Sequence, residues 1–150
     1  MKKKKFIFWV ILLVIVIIQF VPLDRTVPEY DKSGDFIAIT APSMEIQQTL
    51  KRACYDCHSF ETKYPWYAYV APVSFWVGHH IDEGREHLNF SVWSSYDAKK
   101  SDHKLEELAE EVEERKMPMT SYVIAHSEAK LSAEETERLV RWVEGLRKGD

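Results

Sequence analysis

The chain has 150 residues, enough for one small domain but too few for two of ordinary size. Charged residues make up 29% and hydrophobic residues 45% of it, which is typical of a folded protein and excludes a wholly disordered one. The formal net charge is −4, and without the consecutive lysines Lys2 to Lys5 the rest carries 16 basic against 24 acidic residues. This acidic body argues against nucleic-acid binding, because phosphates need basic contacts.

The N-terminus combines the four lysines with an apolar run from Phe6 to Leu23. As a helix, this run spans about 27 Å, close to the hydrophobic thickness of a bilayer. No small-residue cleavage site follows, so the pattern predicts a retained signal anchor, a transmembrane helix over residues 1–23. Because lysines stay on the cytoplasmic side, the body is predicted to be membrane-anchored, single-pass and extracytoplasmic, on the periplasmic side of the inner membrane.

The rest of the chain is predicted to be a linker followed by a helical domain. Residues 24–42 carry prolines, a glycine and scattered charges, which indicates a linker with a short extended piece at residues 36–39. Residues 43–150 are predicted to be all-α, a small cytochrome c-like helical domain. Ser43 is a suitable N-cap for its first helix, and a second helix is expected from Pro72 to Gly84.

Two more helices are predicted in the C-terminal third. The first is expected to start at an Asp102 cap and to end before Pro118. The second starts at Ser132, which forms a capping box with Glu135. One face of the first helix is acidic, and it is either solvated or a docking site for a redox partner protein with basic patches. This face comprises Glu106, Glu107, Glu110, Glu111, Glu113 and Glu114.

The motif Cys54-Tyr55-Asp56-Cys57-His58 matches C-x-x-C-H, the attachment sequence of c-type haem. Two thiols on one turn can each form a thioether with a haem vinyl group, and the next residue then offers an imidazole to the iron. No other cysteine exists for a four-ligand zinc site, no βαβ context supports a thioredoxin-like pair, and a disulfide would close a very short loop. We therefore predict one covalent haem c on Cys54 and Cys57, with His58 as proximal ligand.

The sixth iron ligand is sought in Met117-Pro118-Met119. Proline ends the preceding helix and starts an extended loop, from which a thioether can reach a haem face. Met117 is predicted as the distal ligand and Met119 is the fallback, although a single methionine is often a core residue. Methionine ligation would raise the reduction potential. The competing ligands are His79, His80, His87, His103 and His126.

Several further stretches accompany the motif: Ser59 with Thr62, Tyr64–Tyr67, Ala71-Pro72, Asn89–Ser91 with Trp93, Met117-Pro118 with Tyr122 and His126, and Leu131-Ser132 with Trp142. Together with the motif they make residues 43–146 resemble the family named the haem-binding domain. The resemblance implies a cytochrome-like helical fold with covalent haem at Cys54, Cys57 and His58. The family name specifies a ligand and no reaction.

The leading functional hypothesis is single-electron transfer by a tethered mono-haem cytochrome. Two alternatives remain open at this point. One is a haem enzyme or sensor with an open sixth iron position, and the other is a haem subunit of a larger redox complex. An electron carrier is favoured over an enzyme, so no catalytic residue is predicted.

Overall fold

The structure is a computed structural model that describes residues 2–149, and in this range it contains α-helices and 3₁₀ turns but no strand. The all-α prediction is therefore confirmed. The helices are α1 Lys2–Ile18, α2 Phe36–Thr40, α3 Met44–Ala53, α4 Tyr55–His58, α5 Val73–His87, α6 Ala98–Glu113, α7 Thr120–Ala125 and α8 Ala133–Lys148. The 3₁₀ turns are Lys32–Gly34, Trp66–Tyr69, Phe90–Ser95 and Ser127–Ala129.

Capping side chains fix where α3, α6 and α8 begin, and α2 also has one. The Ser43 hydroxyl accepts the Ile46 N–H at the start of α3, and Ser132 and Glu135 form the predicted capping box of α8. The predicted start of α6 is wrong, because Asp97 accepts the backbone N–H of Lys100 at 2.8 Å and starts the helix earlier. Asp102 instead contacts Arg147 of α8 at 3.0 Å.

The core lies between α2, α3, the Phe90–Ser95 turn and the packed pair α6 and α8. Phe36 of α2 is fully buried, with its ring 5.0 Å from that of Phe90. The predicted extended piece at residues 36–39 is therefore wrong, because Asp35 caps this segment by accepting the N–H of Ile37. Thus part of the predicted linker contributes to the core of the domain.

The predicted transmembrane anchor over residues 1–23 is also wrong. No helix within residues 2–149 has both the length and the apolar character needed to cross a membrane. Helix α1 has 17 residues, but it begins with four lysines and ends at Ile18, before the apolar run ends. Its apolar part is about 20 Å long, shorter than a bilayer core of ~30 Å. The predicted membrane-anchored, periplasmic location depended on this helix and is therefore also wrong.

The segment that follows α1 contacts the domain near α5. The Gln19 side chain exchanges two hydrogen bonds with the backbone of Ala71, each 3.0 Å long. Leu23 packs against Gly78 of α5 so closely that a Cβ at Gly78 would overlap it. Arg25 donates to the Ala68 carbonyl, and its guanidinium lies 4.1 Å from the centre of the Tyr69 ring. These contacts join residues 19–25 to one side of the candidate site.

Candidate haem site

The C-x-x-C-H motif forms the short helix α4, which continues from α3 after a break at Cys54. The Cys54 carbonyl accepts the N–H of His58 at 2.9 Å, so both cysteines and the histidine lie on one turn. Tyr55 fixes this turn from inside: its ring stacks on Phe90 at 5.0 Å, and its hydroxyl donates to Asp35 at 2.7 Å. The motif is thereby held against the core.

His58 has its two ring nitrogens in different surroundings. Nδ1 lies 2.8 Å from the Gly84 carbonyl oxygen and 3.0 Å from that of Leu88. Because carbonyl oxygens only accept, Nδ1 carries the proton, and Nε2 keeps a lone pair. Burial lowers the pKa of His58, which favours the neutral imidazole. A metal-binding histidine uses this arrangement, with one nitrogen hydrogen-bonded and the other left to bind.

Both cysteines of the motif are free thiols. Cys54 packs against the core, while Cys57 faces α5. Burial raises the pKa of Cys54 to about 12 and that of Cys57 to about 11, so both are protonated and neutral at pH 7. Within residues 2–149 no three His, Cys, Asp or Glu side chains are grouped to hold a metal ion.

A cavity of about 280 Å³ adjoins the motif, between α4, the Trp66–Tyr69 turn, α5 and α7. Cys57 and Asp56 line it, whereas Cys54 and His58 do not. Most of the remaining wall is aromatic or aliphatic. The main apolar lining residues are Tyr64, Tyr67, Val73, Trp76, Ile81 and Tyr122. The cavity therefore offers a largely apolar chamber next to one thiol of the attachment motif.

Hydrogen bonds link the walls of this cavity. The Tyr122 hydroxyl donates to Asp56 Oδ2 at 2.7 Å, which joins α7 to α4. The Tyr67 hydroxyl lies 2.6 Å from His126 Nε2, which joins the Trp66–Tyr69 turn to the end of α7. The Tyr122 and His126 rings stack with their centres 4.4 Å apart. The sequence identified Tyr122 only through the family resemblance and His126 also as a competing iron ligand, but it did not reveal these pairings.

The two candidate methionines lie in different places. Met119 precedes α7 and lines the cavity. Met117 is partly buried and packs against the core cluster. The structure thus brings the fallback candidate, and not the first choice, into the cavity that Cys57 borders.

The competing histidines divide in the same way. His80 and His126 line the cavity, and His80 Nδ1 lies 2.8 Å from the Trp76 carbonyl oxygen. The other three are exposed: His79 lies near Glu83, His103 lies near glutamates of α6, and His87 is at the C-terminal end of α5. Only the first two are placed to contact a group in the cavity.

Two residues of α5 support the motif without having been predicted. A Cβ on Gly84 would lie 2.9 Å from the Cys57 carbonyl oxygen, so only glycine permits this approach. Arg85 donates to the Ser59 carbonyl at 2.9 Å and to the Thr62 hydroxyl at 3.0 Å, which orders the chain leaving α4. The sequence predicted that the second helix ends at Gly84, whereas α5 continues to His87, so the close approach at Gly84 gave no recognised signal.

The donor set fits a c-type haem. An imidazole with a free lone pair, two unbonded thiols on the same turn and an apolar cavity at Cys57 are the groups that such a haem needs. These groups agree with a c-type haem in their chemical nature and in their positions along α4. Cys54, Cys57 and His58 are therefore the residues that would hold the group.

Comparison with known proteins agrees with this chemistry. No curated protein sequence and no solved structure matches the chain. A family model does match, over residues 13–145, and its description is haem-binding domain. Since the match covers most of the chain, the protein belongs to the haem-binding domain family.

Proposed function

We propose that the protein is a mono-haem c-type cytochrome that transfers single electrons. Haem attachment is assigned to Cys54 and Cys57 and proximal ligation to His58. The observation that carries this proposal is the His58 Nδ1–H donated to the Gly84 and Leu88 carbonyls, which leaves Nε2 available next to two free thiols. One haem is proposed because the chain has a single C-x-x-C-H motif.

The bound haem would supply a one-electron couple, and the chain would set its surroundings. The carbonyls of Gly84 and Leu88 orient the His58 ring and raise the basicity of Nε2. Apolar cavity walls would exclude water from a bound haem, which would disfavour the additional charge of ferric iron and raise the reduction potential. The first effect would orient the imidazole toward the iron, and the second would set the potential of the couple.

The sixth ligand is proposed to come from the segment 117–119. Met119 is favoured by position, because it lines the cavity together with Cys57. Met117, the choice from sequence, packs against the core and would have to leave it to reach the cavity. Methionine ligation would leave no open iron position, which supports electron transfer over small-molecule chemistry.

The test uses protein made with the c-type maturation machinery, analysed by haem staining on a denaturing gel and by reduced-minus-oxidised absorbance. The wild type should keep its haem through denaturation and show a sharp reduced α-band. The Cys54→Ser/Cys57→Ser variant should lose all stain, because no thioether can form. Haem that washes off the wild type would contradict covalent attachment.

The methionine variants are matched controls for attachment and also identify the sixth ligand. Met119→Ala and Met117→Ala should both keep the haem stain. Met119→Ala should lose the thioether-to-iron charge-transfer band of the oxidised protein, and Met117→Ala should keep it. The reverse result would assign Met117. A wild type without the band would exclude methionine ligation, and a band retained in the double variant would exclude both Met117 and Met119.

We also propose that the redox partner carries basic patches. Four of the glutamates on the acidic face of α6 lie in ion pairs with basic side chains. Glu110 and Glu113 have no ion-pair partner within residues 2–149 and remain exposed. Together with the acidic body, these two carboxylates support docking by a positively charged surface.

A further inference from the structure

Helix α7 is poorly held by packing. It has six residues, none of them buried, and no side chain caps its N-terminus. Ile124, its largest aliphatic side chain, is 80% exposed. Within residues 2–149 its only extensive helix contact is with the Ser127–Ala129 turn that follows it. A helix this short is marginal in water, so another interaction must fix it.

That interaction is a set of side-chain hydrogen bonds that reach across the cavity. We propose that Asp56, Tyr67, Tyr122 and His126, named here the α7 clasp, position α7 and thereby hold the methionine segment 117–119 beside the haem. All four side chains line the cavity. The proposal rests on the proposed function only in its statement about the methionine segment.

The bond from Tyr122 to Asp56 is the central contact of the clasp. It is 2.7 Å long and charge-assisted, and a bond of this kind is about twice as strong as a neutral one. The other carboxylate oxygen of Asp56 accepts the backbone N–H of Lys63 at 3.0 Å. Burial and the hydrogen bond to Asp56 raise the pKa of Tyr122, so its hydroxyl stays a donor. Each oxygen of the Asp56 carboxylate thus accepts one hydrogen bond, and this residue ties α7 to the attachment helix.

The second contact closes the clasp on the opposite wall. His126 Nδ1 lies 3.3 Å from the Glu128 carboxylate, to which its N–H donates, so Nε2 accepts the Tyr67 hydroxyl at 2.6 Å. The stacked Tyr122 and His126 rings connect the two hydrogen bonds. One end of α7 is thus linked to α4 and the other to the Trp66–Tyr69 turn.

The clasp acts on the methionines because they lie only a few residues before Tyr122 in the chain. The Met119 carbonyl accepts the N–H of Val123 at 3.0 Å, so Met119 lies one turn before Tyr122 on the same hydrogen-bonded helix. If Tyr122 loses Asp56, no other hydrogen bond within residues 2–149 joins α7 to α4. The Tyr122 hydroxyl then keeps only its 3.5 Å contact with the Arg52 carbonyl of α3. The methionine segment would then move more freely, and an external ligand would compete better for the iron.

The test compares Tyr122→Phe with Tyr96→Phe in the complete haem-loaded protein. Tyr122→Phe keeps the ring and its stacking but removes the donor to Asp56. Tyr96→Phe is the matched control, since its hydroxyl accepts the Asn89 N–H at 3.1 Å and does not line the cavity. Two readouts are measured: hydrogen exchange of the α7 amides, and the apparent affinity of the ferric protein for imidazole.

Tyr122→Phe should speed amide exchange in α7 by about tenfold or more and leave α8 unchanged, because one charge-assisted hydrogen bond is lost. It should also tighten imidazole binding by a similar factor, whereas Tyr96→Phe should change neither readout. Tyr67→Phe should likewise speed amide exchange in α7 and tighten imidazole binding. This variant is measured instead if Tyr122→Phe does not fold.

Wild-type exchange rates in α7 of Tyr122→Phe would overturn the clasp. Faster exchange with unchanged imidazole affinity would overturn its role in holding the methionine segment. The exchange readout depends on the polypeptide and not on the iron. A wild type without covalent haem would therefore refute the proposed function while the exchange data still decide on the clasp.

Discussion

Tyr55, inside the attachment motif, shows how one buried side chain positions a reactive turn. The motif pattern leaves its second residue unspecified, yet here this residue is almost completely buried. Its ring continues the aromatic stack of Phe90 and Phe36, and its hydroxyl ends on Asp35. Asp35 also caps α2, so one carboxylate fixes both α2 and the turn that carries the two thiols.

The burial of Tyr55 predicts an alkaline limit to stability. Burial and the bond to Asp35 raise the pKa of Tyr55 far above that of an unfolded tyrosine, which is about 10. This stabilising contribution is complete below pH ~10 and is lost above it, where only the unfolded state releases the proton. The free energy of unfolding should fall by about 1.4 kcal/mol per pH unit there.

Chemical denaturation between pH 8 and 12 measures this slope. Tyr55→Phe should have a shallower slope by about 1.4 kcal/mol per pH unit and a lower stability at pH 8, by about 1–3 kcal/mol, because Asp35 loses a donor. Tyr69→Phe, which removes a hydroxyl from a 61% exposed side chain, is the matched control. If the free energy of unfolding falls equally steeply with pH in Tyr55→Phe and in the wild type, Tyr55 is not the cause of the alkaline loss of stability.

At the scale of elements, the site depends on the close approach of α5 to α4. Gly84 allows the α5 backbone to touch Cys57, and its carbonyl at the same place accepts from His58. The same residue therefore provides both the space and the acceptor. A side chain at this position would push α5 away from the motif and lengthen the contact to His58.

Gly84→Ala should destabilise the protein and reduce the yield of attached haem, because a Cβ would lie 2.9 Å from the Cys57 carbonyl oxygen. We expect a loss of about 1–3 kcal/mol, the usual cost of overpacking. Gly145→Ala in α8 is the matched control, since nothing lies within 4 Å of its Cβ. It should stabilise the protein by about 0.5–1 kcal/mol.

Thermal unfolding and haem staining measure both variants. A Gly84→Ala protein as stable and as fully loaded as the wild type would show that α5 can retreat without disturbing the motif. An unchanged Gly145→Ala would show that helix propensity is not limiting in α8.

Elements with strong local signals were predicted well from sequence. The caps at Ser43 and Ser132 are short-range patterns, and both predicted helices begin there. Helix α2 was missed because five residues give no periodicity, and its burial depends on distant partners such as Trp93 and Trp142. The start of α6 was missed because both Asp97 and Asp102 qualify as caps, and only Asp97 accepts a helical N–H.

The candidate site mixes local and long-range information. The C-x-x-C-H motif occupies five consecutive residues and was visible from the sequence alone. The hydrogen bonds around the cavity join Asp56 to Tyr122 and Tyr67 to His126, residues about sixty positions apart. Such pairs leave no spacing pattern in one sequence, because neither helix nor strand periodicity connects their members.

At the scale of the whole molecule, the charge predicts which electron donors react fast. The body without the N-terminal lysines has 16 basic and 24 acidic residues, so cationic reagents should be attracted and anionic ones repelled. The rate constant for reduction by hexaammineruthenium(II) should fall as ionic strength rises. The rate constant for ferrocyanide should rise under the same conditions.

The α6 face is tested by comparing two double variants of equal charge. Glu110→Gln/Glu113→Gln should flatten the ionic-strength dependence with hexaammineruthenium(II) more than Glu29→Gln/Glu86→Gln does. Stopped-flow absorbance of the haem band measures both. Equal flattening would show that only net charge matters, which would contradict docking at α6.

The contacts of Gln19, Leu23 and Arg25 have a consequence for how the protein meets its partners. These three residues fasten the chain after α1 to Ala71, Gly78 and Ala68, all close to the cavity. A domain held in this way does not swing on a loose tether. The cavity therefore keeps one orientation relative to the end of α1, so a partner that docks on this helix would also be oriented relative to the proposed haem site.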